Sequence, residues 1–558
     1  MFSPLTFSRT LTRITPVQNF TDDVSWIRGA HSFGFGANIR LISNQRTSFA
    51  NAFDNAITNP SFYSGGGATL STPINNFSPI SGSRSGAQNA VTALIGRYSQ
   101  YSAVFTFDHD GTLLPSGTAS SRDFRTQEYD GYVQDSWKVT PNLTLTYGLR
   151  YTISKPVYEK NGFEVNTNPS LSDVFAMRQA AAARGQNWVT PLTLQLSGPA
   201  NNAPPLYKWD KNNFQPRFAF AYSPSFESGF LRKIFGRNHE SVIRGGFGIT
   251  NDYYGQQLAV NFDLANTLGF VSNQTIAANT FNVTTRPAPL FTGFGQAVRP
   301  LPRIVVPGNI SFPRTQPFAT DPALQQRRIE TSFDSNLVAP INYSWNATYE
   351  RELPHGLVIS TSYIGRLARK LIATRDVMAL NNLFDPASGL DWYTAATQLE
   401  MLRQQGVPIS AVQQIPYFAN LLPGNIAQLM SDNYFGGCCD VFPTLNLNQT
   451  QAVYAVALNF YGNDWTDTQD VIEQGLGTNI FFHPQYGALA AYSSVARSNY
   501  HAGTLSVRER LGGSLTMDFN YTYSHSWDDA SGLQTSTGYG TAFILNPLRQ
   551  RDQWAESD

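Results

Sequence analysis

The chain has 558 residues, with 39 Lys+Arg against 39 Asp+Glu, so its net charge offers no pull toward nucleic acid or an anionic surface. Charged residues make up 14% of it, where a typical soluble domain carries about 25%, while aromatics reach 13% and 43 Gly with 32 Pro punctuate the whole length. No run approaches the roughly 18 apolar residues of a spanning helix, so any passage through a membrane has to use strands.

The opening "MFSPLTFSRTLTRITP" has no apolar stretch after its basic residues and does not read as a secretory signal. A first hairpin follows: a strand around Val24 and Trp26, a turn at Arg28 to His31, and "SFGFGANIRL" with Phe33, Phe35, Ala37, Ile39 and Leu41 on one face. The second is "YDGYVQDSWKVTPNLTLTYGLRY", residues 129–151. Leu143, Leu145, Tyr147, Leu149 and Tyr151 alternate there with Thr144, Thr146, Gly148 and Arg150 after a turn at Thr140, Pro141 and Asn142. "FQPRFAFAY" (214–222) and "IRGGFGI" (243–249) form the third, joined by a longer turn. The fourth, 342–365, alternates Tyr343, Trp345, Ala347 and Tyr349, turns at Leu353 to Gly356, and resumes at Leu357, Ile359 and Tyr363. The fifth, 504–526, turns at Leu511 to Gly513 and sets Leu515, Met517, Phe519, Tyr521 and Tyr523 against Thr516, Asp518, Asn520, Thr522 and Ser524.

These ten strands predict an all-β chain with one greasy and one wet face. Long irregular stretches separate the hairpins, at about 42–121, 159–211, 255–341, 375–500 and 527 to the end, so connections are mostly short at one end and very long at the other. "YSQYSAVFTFDHD" (98–110) reads as a strand inside one of these loops, 386–430 as short helices, and "RPAPLFTGFGQAVRPLPRIVVPG" as an aperiodic proline-rich loop. A soluble sandwich produces the same alternation, but a full set of loops beyond about 15 residues on one side is uncommon in compact domains. Transmembrane β-barrels have that asymmetry as a rule, with short periplasmic turns and long extracellular loops. The fold class expected is therefore a partial transmembrane antiparallel β-barrel whose loops carry short helices.

Motifs for chemistry are missing: there is no HExxH, GxSxG, CxxC or phosphate-cradling GxxxxGK[ST], so no enzyme, metal or cofactor is expected. "GFGANI" lacks the third glycine of a dinucleotide fingerprint and sits in an alternating strand. "DHDG" offers Asp108, His109 and Asp110 without a ligand set at EF-hand spacing, which reads as an acidic loop. Cys438 and Cys439 are the only cysteines, either two loop thiols or a strained vicinal clip.

Taken in order, "SWIRGAHSFGFGANIR", "YVQDSWKVTPNLTLTYGLRY", "NNFQPRFAFAYSP", "VIRGGFGITNDYY", "INYSWNATYERELPHGLVISTSYIG" and "SNYHAGTLSVRERLGGSLTMDFNYTYSHSWDDASG" resemble successive barrel segments of the TonB-dependent outer-membrane transporters, Oar-like branch. The resemblance spans nearly the whole chain. It implies a 22-stranded barrel around a globular plug, energised by a TonB-type inner-membrane complex and taking up a bulky solute such as a siderophore, a cobalamin-like molecule, a glycan or a peptide. About half of those strands are present, without the plug and the closing strands, so 1–558 is expected to be an incomplete barrel domain of a larger protein in the outer membrane. A surface β-protein for adhesion or structure, without transport, is the alternative.

In either case outer-membrane lipid is the expected partner of the greasy face, with Trp26, Trp137, Leu145, Tyr151 and Trp345 facing lipid or the interface, the aromatics near strand ends. Sugar stacking by Trp392, Tyr393 and Tyr417 is a competing use of loop aromatics. Arg150, Arg217, Asn342, Asn346, Glu350, Asp518 and Asn520 are expected to face the lumen, against the plug or a solute.

Overall fold

The computed structural model describes residues 11–57, 90, 94, 96–98, 100–252, 269–276, 288–293, 295–315, 328–437, 441–511, 515–530, 543–544 and 546–557. Ten long strands make up most of one large sheet: β1 (Val17–Arg28), β2 (His31–Ser48), β3 (Ser120–Thr140), β4 (Leu143–Ser154), β5 (Phe214–Tyr222), β6 (Ser241–Asn251), β7 (Ile341–Leu353), β8 (Leu357–Asp376), β9 (Tyr486–Leu511) and β10 (Leu515–Asp528). Each pairs antiparallel with the next in the chain, which is the order of an up-and-down barrel wall. Among the described residues β1 and β10 do not pair with each other, so the sheet is open. No described helix is long and apolar enough to cross a membrane, which leaves crossing by strands untouched.

At one end of the sheet the connections are short. Gly29 and Ala30 join β1 to β2, with Gly29 at φ +60° where a side chain is disfavoured; Pro141 and Asn142 join β3 to β4, and Pro354 to Gly356 join β7 to β8. The β5–β6 connection carries a short helix, α2 (Gly229–Phe235). The turn expected at Leu511 to Gly513 falls mostly outside the described residues, as do Cys438 and Cys439.

Several strands run longer than the alternation suggests. β9 starts at Tyr486 rather than near 504, β8 reaches Asp376, and β3 starts at Ser120. The reason is burial. Beyond the apolar band these strands pass under the long connections, where polar-face residues such as Asn44, Arg46, Arg122, Thr126 and Glu128 are all buried. On the other face Ser43, Gln45, Ser121 and Arg125 are polar and stay half-buried or exposed, so the greasy-and-wet contrast is lost there.

The described parts of the long connections at that end are folded, not irregular. A small sheet of Asn55–Ile57, Gln100–Thr106 and Val271–Ile276 contributes Tyr101, Phe105 and Phe270 to a core that also takes in Phe124 of β3, Val165, Leu194, Tyr207, Phe333, Leu337 and Tyr492 of β9. The strand expected within 98–110 is the middle strand of this small sheet. A second core is helical: α3 (Trp392–Gln404), α4 (Pro416–Leu421), α5 (Ile426–Asn433), α6 (Gln449–Val456) and α7 (Trp465–Leu476) enclose Trp392, Phe418, Met430, Val453, Tyr454, Ile472 and Phe481. Only the first three of these helices fall in the stretch expected to be helical; α6, α7 and α1 (Leu171–Ala182) were not expected. Their starts are capped locally: Asp391 accepts from Thr394 N, Asn448 and Gln451 form a reciprocal capping box, and Asp464 accepts from Asp467 N.

Arg178 of α1 ties that helix to the chain around it. Its buried guanidinium donates to Asn187 Oδ1 and the Trp188 carbonyl at 3.0 Å and to the Met378 carbonyl, just past β8, at 2.9 Å. Within the helical body α5 and α7 meet where Gly475 faces Met430, and a Cβ there would stand 2.9 Å from the Met430 Cα. Backbone cannot yield as a side-chain tip does. Gly475→Val should therefore drive α5 from α7 and lower the stability of this body by about 1–3 kcal/mol, the cost of overpacking. Limited proteolysis of the variant should cut within 380–482 under conditions that leave the parent intact; an unchanged cleavage pattern would refute the close-packing argument.

Candidate functional site

Cross-strand register divides the sheet into two chemically distinct faces. One row runs across all ten strands as Trp26, Phe33, Asp135, Tyr147, Phe218, Phe247, Trp345, Gly365, His501 and His525. Its neighbours on the same face include Val24, Phe35, Val133, Leu149, Tyr363, Leu505, Phe519, Tyr521 and Tyr523, all more than a third exposed. A large contiguous apolar surface of this kind needs a non-aqueous partner. The indole of Trp345 lies over Gly365, where a Cβ would come within 2.3 Å of the ring, so the glycine is what lets the aromatic lie flat on the wall.

Polar groups on this face are tied to aromatic ones. Asp135, almost fully buried, accepts from Tyr147 Oη at 2.8 Å and pairs with His31 Nδ1 at 2.8 Å. Trp26, Phe33, His31 and Trp137 stack above it, with centroids 5.3–5.5 Å apart. Tyr363 pairs with His501 and Tyr523 with His525. Asp135 was not singled out from the sequence, although a carboxylate in phase with Val133 and Trp137 breaks the alternation and is its own signal.

The opposite face is polar. The adjacent row reads Ser25, Gly34, Gln134, Gly148, Arg217, Gly248, Ser344, Arg366, Tyr500 and Ser526. At its outer end lies a recess of about 700 Å³, lined by Thr250, Asp252, Asn342, Arg366, Ser498 and Tyr500 among others. The profile of the family described as "Outer membrane beta barrel domain" matches residues 4–558. The chain belongs to this family.

An outer membrane β-barrel domain accounts for both faces, and the outer membrane is where the chain resides. Among solved structures it is similar to the copper transporter OprC at 7% identity and TM-score 0.31, covering 93% of this chain and 40% of that one. It is also similar to the outer membrane transporter YddB from Escherichia coli (8%, TM-score 0.27, 95% and 48%) and to the siderophore receptor PiuA from Acinetobacter baumannii (8%, TM-score 0.29, 95% and 41%). The chain thus spans less than half the length of each. No curated protein matches it.

The residues singled out from the sequence fall on opposite sides of the β-barrel domain's wall. Trp26, Trp137, Leu145, Tyr151 and Trp345 share the apolar face, although Trp345 lies four residues inside its strand rather than at the end. Arg150, Arg217, Asn342, Asn346, Glu350, Asp518 and Asn520 share the polar one. They do not form one cluster. Arg150 pairs with Asp130 at 3.0 Å and lies over Tyr132, Asp518 pairs with Arg508 at 2.6 Å near the short-turn end, and only Asn342 lines the recess. Trp392 and Tyr417, weighed as stacking platforms for sugars, are at most 1% exposed and belong to the helical core. The Asp108–Asp110 loop is a turn in which His109 contacts Asn201, and no group of three metal-ligating side chains occurs among the described residues.

The folded connections hold their own charged interior. Glu159 accepts from the backbone N–H groups of Asp123, Asn161 and Phe163 at 2.8–2.9 Å. Nearby Glu164 is 2% exposed, and neither of its carboxyl oxygens has a hydrogen-bond partner among the described residues. Burial first, with the Glu159 charge adding to it, pushes its pKa up to about 8. Burial lowers His483 to about 4, so it stays neutral through the same range. Folded Glu164 keeps a proton that the unfolded chain sheds from about pH 4.5 upward. Its linkage therefore lowers stability as pH rises toward 8 and adds nothing further above that. Thermal unfolding of the purified protein in detergent should show Glu164→Gln gaining on the parent between pH 5 and 8; parallel pH profiles would refute the buried-acid assignment.

Proposed function

We propose that this β-barrel domain forms part of a TonB-dependent outer-membrane receptor of the Oar-like branch, which captures a bulky solute outside the cell and passes it inward along the polar face. The observation that carries this reading is the arrangement of the long connections. They fold into cores anchored on β3 and β9, so the same sheet that offers lipid an apolar wall has a structured body over the outer end of its polar wall. An adhesive or purely structural barrel needs no such cover. The apolar face meets lipid, the polar face with Arg150, Arg217, Asn342, Asn346, Glu350, Asp518 and Asn520 meets the lumen, and the energising complex acts through a plug. A siderophore, a cobalamin-like molecule, a glycan or a peptide each falls in the size class such a lumen admits. The domain extends over 1–558 as one incomplete barrel, and no step in this role makes or breaks a covalent bond.

The face assignment is tested by adjacent substitutions. Val133→Arg places a cation in the middle of the apolar band and should destabilise the intact barrel by about 2–4 kcal/mol, while Gln134→Arg, one residue on and on the polar face, should cost far less, and Leu145→Arg, beside Trp137 near the turn, about 1 kcal/mol or less. Equal unfolding midpoints for Val133→Arg and Gln134→Arg in lipid vesicles would overturn it. Orientation is tested by protease on whole cells expressing the full protein. In the Gly475→Val variant, whose helical body is loosened, cleavage should fall within 380–482 and spare the turn at Thr140 to Asn142 until the envelope is opened; the reverse pattern would invert the topology.

A further inference from the structure

We infer that the recess at the outer end of the polar face is a binding site for an oxyanion group of the solute, a carboxylate or phosphate held by Arg366. The inference deepens the transport reading and rests on the polar face being the inside of the barrel.

Arg366 is exposed, lines the recess, and makes no ion pair or hydrogen bond among the described residues. Its setting explains why. Along its row the flanking positions are Ser344 on β7 and Tyr500 on β9, and beyond Ser344 comes Gly248. The row on the outer side carries Thr250, Asn342, Ala368 and Ser498, and the row on the inner side Gly246, Asn346, Ile364 and Ala502. Neither row offers a carboxylate on these four strands. Asp252, which also lines the recess, makes no ion pair with Arg366. Arg150, by contrast, finds Asp130, and Arg508 finds Asp518; Arg244, also exposed and without an ion pair among the described residues, lies on the same face but outside the recess.

A second exposed guanidinium without an ion pair, Arg217, sits in the same row across Gly248 and Ser344. Three strand spacings put its backbone about 14 Å from that of Arg366. Small side chains between the two leave a shallow floor with a cation at either side. The recess volume lies within the range of small-molecule sites, roughly 300–1,000 Å³. A guanidinium presents a planar fork of donors that matches a carboxylate or phosphate edge, and the Tyr500 hydroxyl, Asn342 amide and Thr250 hydroxyl supply neutral hydrogen bonds around it. That combination selects an oxyanion over a cation or an apolar solute.

The test is calorimetric titration of the purified full-length protein in detergent with citrate and, separately, with inorganic phosphate, ionic strength being held constant with sodium chloride. At least one probe should bind saturably; the stronger of the two distinguishes a carboxylate from a phosphate ligand. Arg366→Gln should weaken that binding about tenfold or more, as loss of a charge-assisted bidentate contact implies, with Arg366→Lys intermediate. Arg244→Gln removes an equal charge two rows further in, on the same face but outside the recess, and should change binding less than about twofold. Heat-modifiability on gels confirms that each variant is folded. Absence of binding by the parent, or equal losses from Arg366→Gln and Arg244→Gln, overturns the site. Those outcomes leave the protease topology untouched, so failure of the site and failure of the transport reading are told apart.

Discussion

In hydrocarbon no water is at hand to satisfy a backbone N–H or C=O, so every such group on a crossing strand has to be paired within the sheet. That constraint accounts for most of what this chain does with its length. Ten strands pair each with its successor, so the eight inner strands have a partner on both edges. Side chains then divide by parity, and the parity holds: from Trp26 on β1 to His525 on β10, one register row keeps to the apolar face across the whole wall. Where that row has to accommodate polar atoms it pairs them, as Asp135 is paired with Tyr147 and His31.

The constraint lapses above the apolar band, and the structure changes character there. The strands continue, but their polar face is now covered, and buried charged residues such as Arg46, Arg122 and Glu128 replace the open wall. Two kinds of packing hold this outer body. One is a β-rich core that ties Phe124 to Phe270 and Tyr492, and the other is a helical core around Trp392 and Met430. The buried guanidinium of Arg178 links α1 to the chain just beyond β8 through carbonyl oxygens rather than through a single carboxylate. It is a fixed joint rather than a switch.

For the passage of a solute, the polar face matters through its exceptions. Most of its residues are small and neutral, as a wetted wall tolerates, and some of its charges are matched, as Arg150 is by Asp130 and Arg508 by Asp518. Arg366, with Arg217 in its row, matters because register gives it small or neutral neighbours at the recess. Charge left unmatched inside a wall is available to whatever enters, whereas matched charge only shapes the wall.

The sequence by itself determined the wall. Alternation is a local property with a period of two, so the ten strands, their short turns, the apolar phase of Leu145 and Trp345, and the polar phase of Arg150 and Asn342 can all be read without any knowledge of what lies beside them. Family membership rests on that pattern repeated along the chain. The outer body had no such period to betray it. Its β-rich core is assembled from Phe105, Phe270, Phe333 and Tyr492, which lie far apart in the chain, and Trp392 and Tyr417, which look available in a loop, are the centre of a helical core. Only the tertiary structure decided which guanidinium groups find a carboxylate, because pairing depends on the residue opposite on the next strand, and register is settled by the packing of the sheet as a whole rather than by any one strand.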